Sequence, residues 1–375
     1  MIGAYGPWAA GLIGDKLPKL SFRNAKFSDL EAWRKLALRR ALKRLAPPRA
    51  RARRVKVIET REEDGLRVER LSWQLPYGPP TEAVLLKPAG AAGPLPGVLA
   101  LHCHGGRKWL GWRKIARCGD LHPMTMQHQE QYYGGRAWAN ELARRGYVVL
   151  AHDAFAFASR RVRVADCPPA IRWDNAADPA DESSPEAITA YNAWAGQHEH
   201  IMAKSLFCAG TTWPGVFFAE DRAALDVLAA RPDVDPRRLG CGGLSGGGLR
   251  TDMLAGLDGR IRCSVAVGFM STWRDFLLHK CHTHTWMVYV PLLPNELDFP
   301  EILGLRAPAA TMVQNTTEDA LYTQDEVKRS EAILREVFAK AGAAERLDFR
   351  HYPGPHKFDA PMQEDAFAWF ERWLR

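Results

Sequence analysis

The chain has no apolar run long enough to cross a bilayer. It also has no CxxC pair, no internal repeat and no low-complexity tract. The N-terminus, Met1-Ile2-Gly3-Ala4-Tyr5-Gly6-Pro7-Trp8, lacks the positive n-region and continuous apolar core of a secretory signal. The seven cysteines (103, 118, 167, 208, 241, 263 and 281) are odd in number, and their spacing suggests neither a disulfide framework nor a zinc site. Several fall in apolar strands as core thiols, so a cytoplasmic setting is expected. Acid is missing from one stretch: Arg34 to Lys56 holds eleven Lys/Arg and no Asp or Glu. Those eleven exceed the net charge of +8 for all 375 residues, so the rest of the chain is slightly acidic. The basicity is local. Within it Leu30, Trp33, Ala37, Ala41 and Leu45 recur at helical spacing, with Leu38 and Leu42 beside them, and Pro47-Pro48 ends the pattern. The expectation is a helix packed on the main domain with a solvated basic face. No nucleic acid and no membrane span are expected as partners, a membrane-surface or nucleic-acid contact by this face being the alternative, and the oligomeric state is left open, a homo-oligomer included.

What is present is ordinary globular composition, 46% hydrophobic and 25% charged. Extended segments at Val55–Thr60, Leu66–Gln74 and Ala83–Lys87 are separated by turn residues and read as the antiparallel start of a mixed sheet. Gly97–Cys103 and Tyr147–Asp153 are continuous apolar runs, as expected of strands covered on both faces. Strands at Ile261–Val267, Ala309–Gln314 and Arg346–Tyr352 then alternate with helices at Arg222–Ala230, Asp325–Ala341 and Met362–Arg375. Such alternation implies a mostly parallel central sheet with helices on both faces. Residues 107–135 and 155–215 break it, being long and rich in Pro, Trp, Tyr and His, and the second is expected to be a cap over the site. The predicted organisation is an N-terminal helical extension (1–54) followed by one α/β catalytic domain (55–375).

Gly243-Leu244-Ser245-Gly246-Gly247 is a G-x-S-x-G signature between a predicted strand and a predicted helix. This context suits a nucleophile elbow, a turn so sharp that the serine is strained and its hydroxyl exposed. Serine at neutral pH needs a base, and the base needs an orienting acid. On such an architecture the chain order is Ser, acid, His, and the tail supplies both partners. Gly354-Pro355-His356 lies between the last strand and the terminal helix, and Asp319 follows the Ala309–Gln314 strand. Glu318, one position earlier, is the alternative acid.

In these motifs, together with His102-Cys103-His104-Gly105-Gly106 after a central strand, the chain resembles the serine-hydrolase branch of the α/β-hydrolase superfamily. The resemblance spans about residues 55–375 and lies near the dienelactone-hydrolase-like and acetyl-xylan-esterase-like groups. It implies an α/β-hydrolase fold, Ser245 as nucleophile, His356 as base and Asp319 as acid. One departure is that Asn315-Thr316-Thr317 stands where the family usually has a glycine shortly before the acid.

An oxyanion hole is expected from the N–H of Gly246 and from the turn at Gly105 and Gly106. His104, Trp213 and Leu244 are expected to contact substrate. The pairs His102/His104 and His282/His284 could imitate a metal site, but no carboxylate-rich pattern joins them, so no metal and no cofactor are expected. The reading is an ester hydrolase acting on a short acyl group through an acyl-serine. The substrate would be a small-molecule ester, an acetylated carbohydrate or an aryl ester. A peptidase or acyltransferase with the same three residues is the alternative within enzymes, and a catalytically silent binding protein the alternative outside them.

Overall fold

The computed structural model describes residues 1–14, 16–173 and 176–375. Nine strands form one sheet: β1 (Arg53–Glu63), β2 (Leu66–Gln74), β3 (Thr81–Pro88), β4 (Leu95–Leu101), β5 (Val148–His152), β6 (Val234–Leu244), β7 (Ile261–Val267), β8 (Ala310–Thr316) and β9 (Leu347–Tyr352). Their spatial order is β1-β2-β3-β5-β4-β6-β7-β8-β9. The first three strands run antiparallel, with β3 antiparallel to β5, and every pairing from β5 to β9 is parallel. The expected antiparallel start and parallel remainder are both present. Side chains of β4 alternate between two cores: Leu99 and Leu101 enter one, Val98 and Ala100 the other. A strand wanted by both faces reads as an unbroken apolar run because neither face is wet.

Eleven α-helices are described: α1 (Gly6–Ile13), α2 (Leu30–Leu45), α3 (Pro123–Tyr133), α4 (Trp138–Arg144), α5 (Pro185–Cys208), α6 (Trp213–Ala229), α7 (Gly246–Leu257), α8 (Trp273–Leu278), α9 (Phe299–Gly304), α10 (Gln324–Lys340) and α11 (Ala360–Leu374). One core is filled by α2, α6, α7, α9 and α10, the other by α4 and α11. No described helix is long and apolar enough to cross a membrane. All seven cysteines are free thiols.

The basic helix α2 docks as its spacing predicts. Trp33, Ala37, Ala41 and Leu45 are buried, and the Trp33 indole N–H donates to the Leu20 carbonyl at 2.6 Å. Asp29 caps its start by accepting from the amides of Glu31 and Ala32. Its basic face is less solvated than expected. Arg40 and Arg44 both pair with buried Glu296, and Arg34 donates to the carbonyls of Leu305 and Ala307, while Lys35, Arg39 and Lys43 stay exposed.

One other expectation is revised, and two segments show structure that the sequence pattern left open. Helix α6 begins at Trp213 and not at Arg222, because Thr212 caps it and Pro214 sits in its first turn, where a missing N–H costs nothing. Residues 107–135 are not without structure: they hold a 3₁₀ turn at Gly111–Lys114 and helix α3. Between β7 and β8 the chain makes a further excursion through α8 and α9 that the sequence pattern did not set apart. Within 155–215 the chain runs through short 3₁₀ turns into the long helix α5. Asp174 and Asn175 of its polar middle lie outside the described residues.

Candidate active site

Strand β6 ends at Leu244 and α7 starts at Gly246, so a single residue turns the chain. That residue, Ser245, has φ +59° and ψ −120°, a conformation costly for any side chain-bearing residue. The turn closes only because its neighbours are bare. A Cβ on Gly243 or Gly247 would fall 2.2 or 2.1 Å from the Leu101 carbonyl oxygen of β4. The Ser245 amide donates to the Val267 carbonyl at 2.8 Å, tying the elbow to β7. Behind it, buried Arg250 of α7 grips Asp221 of α6, with Nε at 3.0 Å from Oδ2, and holds the helix against its neighbour.

The loops after β8 and β9 are stitched together by Thr317 N–H to the Tyr352 carbonyl (2.9 Å) and Glu318 N–H to the Gly354 carbonyl (3.1 Å). This crossing buries Asp319 and leaves Glu318 exposed. His356 Nδ1–H donates to Asp319 Oδ2 at 2.6 Å, and Asp319 Oδ1 accepts from the Leu321 amide at 3.0 Å. With its proton on Nδ1, His356 presents a lone pair at Nε2, which is buried and has no hydrogen-bond partner. A Cβ on Gly268 would stand 2.9 Å from His356 Cε1, so the imidazole is confined from that side. Ser245 and His356 line one pocket of about 220 Å³.

The loop after β4 forms the facing wall. Gly105 and Gly106 both have positive φ, at +54° and +64°. The expected donor at Gly106 is turned elsewhere: its N–H donates to His104 Nδ1 at 3.0 Å. The start of α7 instead abuts His104, two residues before Gly106: a Cβ on Gly246 would lie 2.9 Å from the His104 backbone nitrogen. The His104 ring reaches away to the helix α5, its Nε2–H donating to Glu199 Oε1 at 2.7 Å. Burial, and then the nearby Lys108 charge, hold this imidazole below its usual pKa. Glu199 is also paired with the buried Lys108, and together these contacts bring its carboxyl down to about 2 despite the opposing effect of burial.

Leu244 lines the pocket as expected. Trp213 does not. Its ring is buried at the start of α6, under the Lys108 ammonium at 4.6 Å, because the helix begins there and turns the residue into the core. No described residue of 155–215 lines this pocket; that segment packs behind it, through Glu199 on the His104 ring and the Phe157 ring edge-on to His104 at 5.5 Å. Further walls come from Tyr132 of α3, from Leu321 after β8 and from Phe269, Thr283, Thr285 and Met287 of the β7–β8 excursion. Sequence reasoning missed these. For Tyr132 the signal was its place in the 107–135 stretch; for those of the excursion it was the length of the gap between two strands. His284 also lines the pocket, whereas His102 is buried with Nδ1 on the Cys103 carbonyl and Nε2 accepting from the Ala154 amide. Among the described residues no three His, Cys, Asp or Glu side chains gather as metal ligands would.

The strand order, the crossovers and a strained serine at the end of a central strand define the α/β-hydrolase fold. The comparisons agree. The chain is 28% identical over 320 residues to the Bacillus subtilis (strain 168) protein named "Putative hydrolase YtaP", covering 84% of this chain and 91% of that one. No family model matches. Among solved structures it is similar to a "putative acetyl xylan esterase" from Bacteroides fragilis NCTC 9343, with a TM-score of 0.68, 16% identity and coverage of 94% and 83% of the two chains. It is also similar to a glucuronoyl esterase from Solibacter usitatus, with a TM-score of 0.60, 16% identity and coverage of 95% and 97%.

Proposed function

We propose that the protein hydrolyses carboxylic esters of short acyl groups through an acyl-serine on Ser245. One observation carries this reading: an imidazole whose Nδ1–H is committed to a buried carboxylate, and whose free Nε2 shares a pocket with a strained serine. His356 Nε2 takes the Ser245 proton as Oγ attacks the ester carbonyl, then returns it to the departing alcohol. Asp319 fixes the tautomer and stabilises the imidazolium. Water repeats the sequence on the acyl-enzyme. The amide of Gly246, with the loop after β4 opposite it, receives the oxyanion.

A pocket of about 220 Å³ is below the usual range for drug-sized ligands, which favours acetyl or propionyl groups over fatty chains. The names of the similar solved structures, both esterases of sugar-bearing substrates, support an oxygen-rich alcohol side such as an acetylated carbohydrate. Seven unpaired thiols suit a reducing, cytoplasmic setting. The test is active-site labelling. A fluorophosphonate is expected to modify Ser245 and abolish hydrolysis of p-nitrophenyl acetate together, and a wild-type protein that hydrolyses no ester and takes no label defeats the proposal.

A further inference from the structure

Lys114 ends the 3₁₀ turn Gly111–Lys114 and is wholly buried. Its Nζ donates to two consecutive carbonyls of the loop after β4, that of Cys103 at 2.8 Å and that of His104 at 2.8 Å. Both peptide units are trans; among the described residues the cis bond is at Ala307-Pro308. In a planar trans unit the N–H points opposite to the C=O. A cation that gathers the Cys103 and His104 oxygens on its own side therefore turns the His104 and Gly105 N–H groups to the other side. On that side the His104 nitrogen meets the start of α7 at Gly246, and Gly105 lines the Ser245 pocket. Among the described residues neither amide is drawn into a hydrogen bond within the fold.

We propose that the Lys114 ammonium is the positioning residue of the oxyanion hole, holding the His104 and Gly105 amides aimed at the ester oxygen on Ser245. This rests on the hydrolase reading given above. The chemistry fits the cost of the residue. Burial brings Lys114 down to about 7, against the help of Cys103 and Asp153 and with Lys108 and Arg107 opposing its charge. Burial first, and then the cations around them, Lys114 included, lower the pKa of the histidines at 102, 104 and 128. The Phe157 ring face, 4.5 Å from Nζ, completes its surroundings. A lysine kept in such a place loses solvation that a methionine of similar shape would not. What it supplies in exchange is the two aligned peptide dipoles, stabilising charge that exists only in the tetrahedral intermediate.

The test uses the whole protein with p-nitrophenyl acetate and an alkyl boronic acid, which forms a tetrahedral adduct on serine. Losing one direct oxyanion donor costs about 10²–10³ in kcat; Lys114→Met, acting through the loop, is expected to lower kcat roughly 10- to 100-fold. KM should stay within threefold, and the boronate Ki should rise by the same factor as kcat falls. Lys114→Gln, which keeps two N–H donors without charge, should recover part of the loss. A folded Lys114→Met protein with kcat within threefold of the parent overturns the proposal, as does a loss of kcat with no change in boronate affinity. Should neither variant fold, the parent decides. Its kcat is expected to fall at least twofold between pH 7 and pH 9 at constant KM as the ammonium is lost, and a flat kcat over that range overturns the assignment. Parent protein that fluorophosphonate does not label would instead defeat the hydrolase reading itself.

Discussion

Asp319→Asn separates the roles of two adjacent acids, and the structure says which way the new amide will turn. Asp319 uses both oxygens, Oδ1 to accept from the Leu321 amide at 3.0 Å and Oδ2 to accept from His356 Nδ1–H at 2.6 Å. An asparagine has one acceptor and one donor. The Leu321 N–H cannot turn away, so the side-chain oxygen stays on it and the NH₂ faces His356. Nδ1 must then become the acceptor, and the imidazole proton moves to Nε2, where the base should be empty. The wrong tautomer is expected to lower kcat by about 10⁴-fold, equivalent to about 5.4 kcal/mol at 1.36 kcal/mol per decade. Glu318 is exposed, and its backbone alone engages the Gly354 carbonyl. Glu318→Gln should therefore leave kcat within twofold. Steady-state hydrolysis of p-nitrophenyl acetate, with far-UV circular dichroism to confirm folding, reads both. An Asp319→Asn protein within tenfold of the parent, or a crippled Glu318→Gln, would refute the assignment of the acid.

Four further outcomes are expected. Ser245→Ala should lower kcat by roughly 10⁴-fold or more with unfolding unchanged, since the elbow offers no second nucleophile; residual activity within tenfold would exclude an acyl-serine. Across p-nitrophenyl esters of two to sixteen carbons, activity should be highest at two or three and fall beyond about six, because a pocket near 220 Å³ leaves further methylenes in water; a maximum at ten or longer would sink the small-acyl reading. Neutralising Lys35, Arg39 and Lys43 should leave kcat/KM on a neutral ester unchanged, and the parent should show no salt-dependent retention on heparin; steep salt dependence would make α2 a working surface. Glu199→Gln strands the buried Lys108 and should cost about 3–5 kcal/mol in urea unfolding at pH 7. The Glu199 carboxyl is lowered to about 2, so its contribution is present in full above its unfolded value and is lost only as the pH falls toward 2. A loss below 1 kcal/mol would show the pair to be idle.

Most of the sheet was legible because each strand is specified by a local feature. The runs at β4 and β5 are apolar throughout because both faces are covered, and the turn residues around β2 and β3 mark where a hairpin reverses. The elbow was legible for a similar reason: Gly243 and Gly247 each answer to one backbone oxygen, so the chain's own sterics write the motif. His356 and Asp319 followed from chain order, and the crossing of two loops brings them within hydrogen-bond reach. Trp213 failed because abundance of aromatics in an irregular stretch carries no direction, and direction was decided by a Thr212 cap ten residues before the expected helix start. The pocket walls failed for a deeper reason. Phe269, Thr283, Thr285 and Met287 come from the excursion between β7 and β8, whose residues share no period that would point them at the site. Lys114 belongs to the same class. In sequence it is one cation in Trp112-Arg113-Lys114, indistinguishable from a solvated charge, and its meaning rests on two carbonyls ten and eleven residues earlier. What a sequence states locally is the backbone geometry a turn demands. Which side chains then converge on that turn is a property of long-range closure, and the residues that hold the loop after β4, Lys114 through its carbonyls and Glu199 through the His104 ring, are both of that second kind.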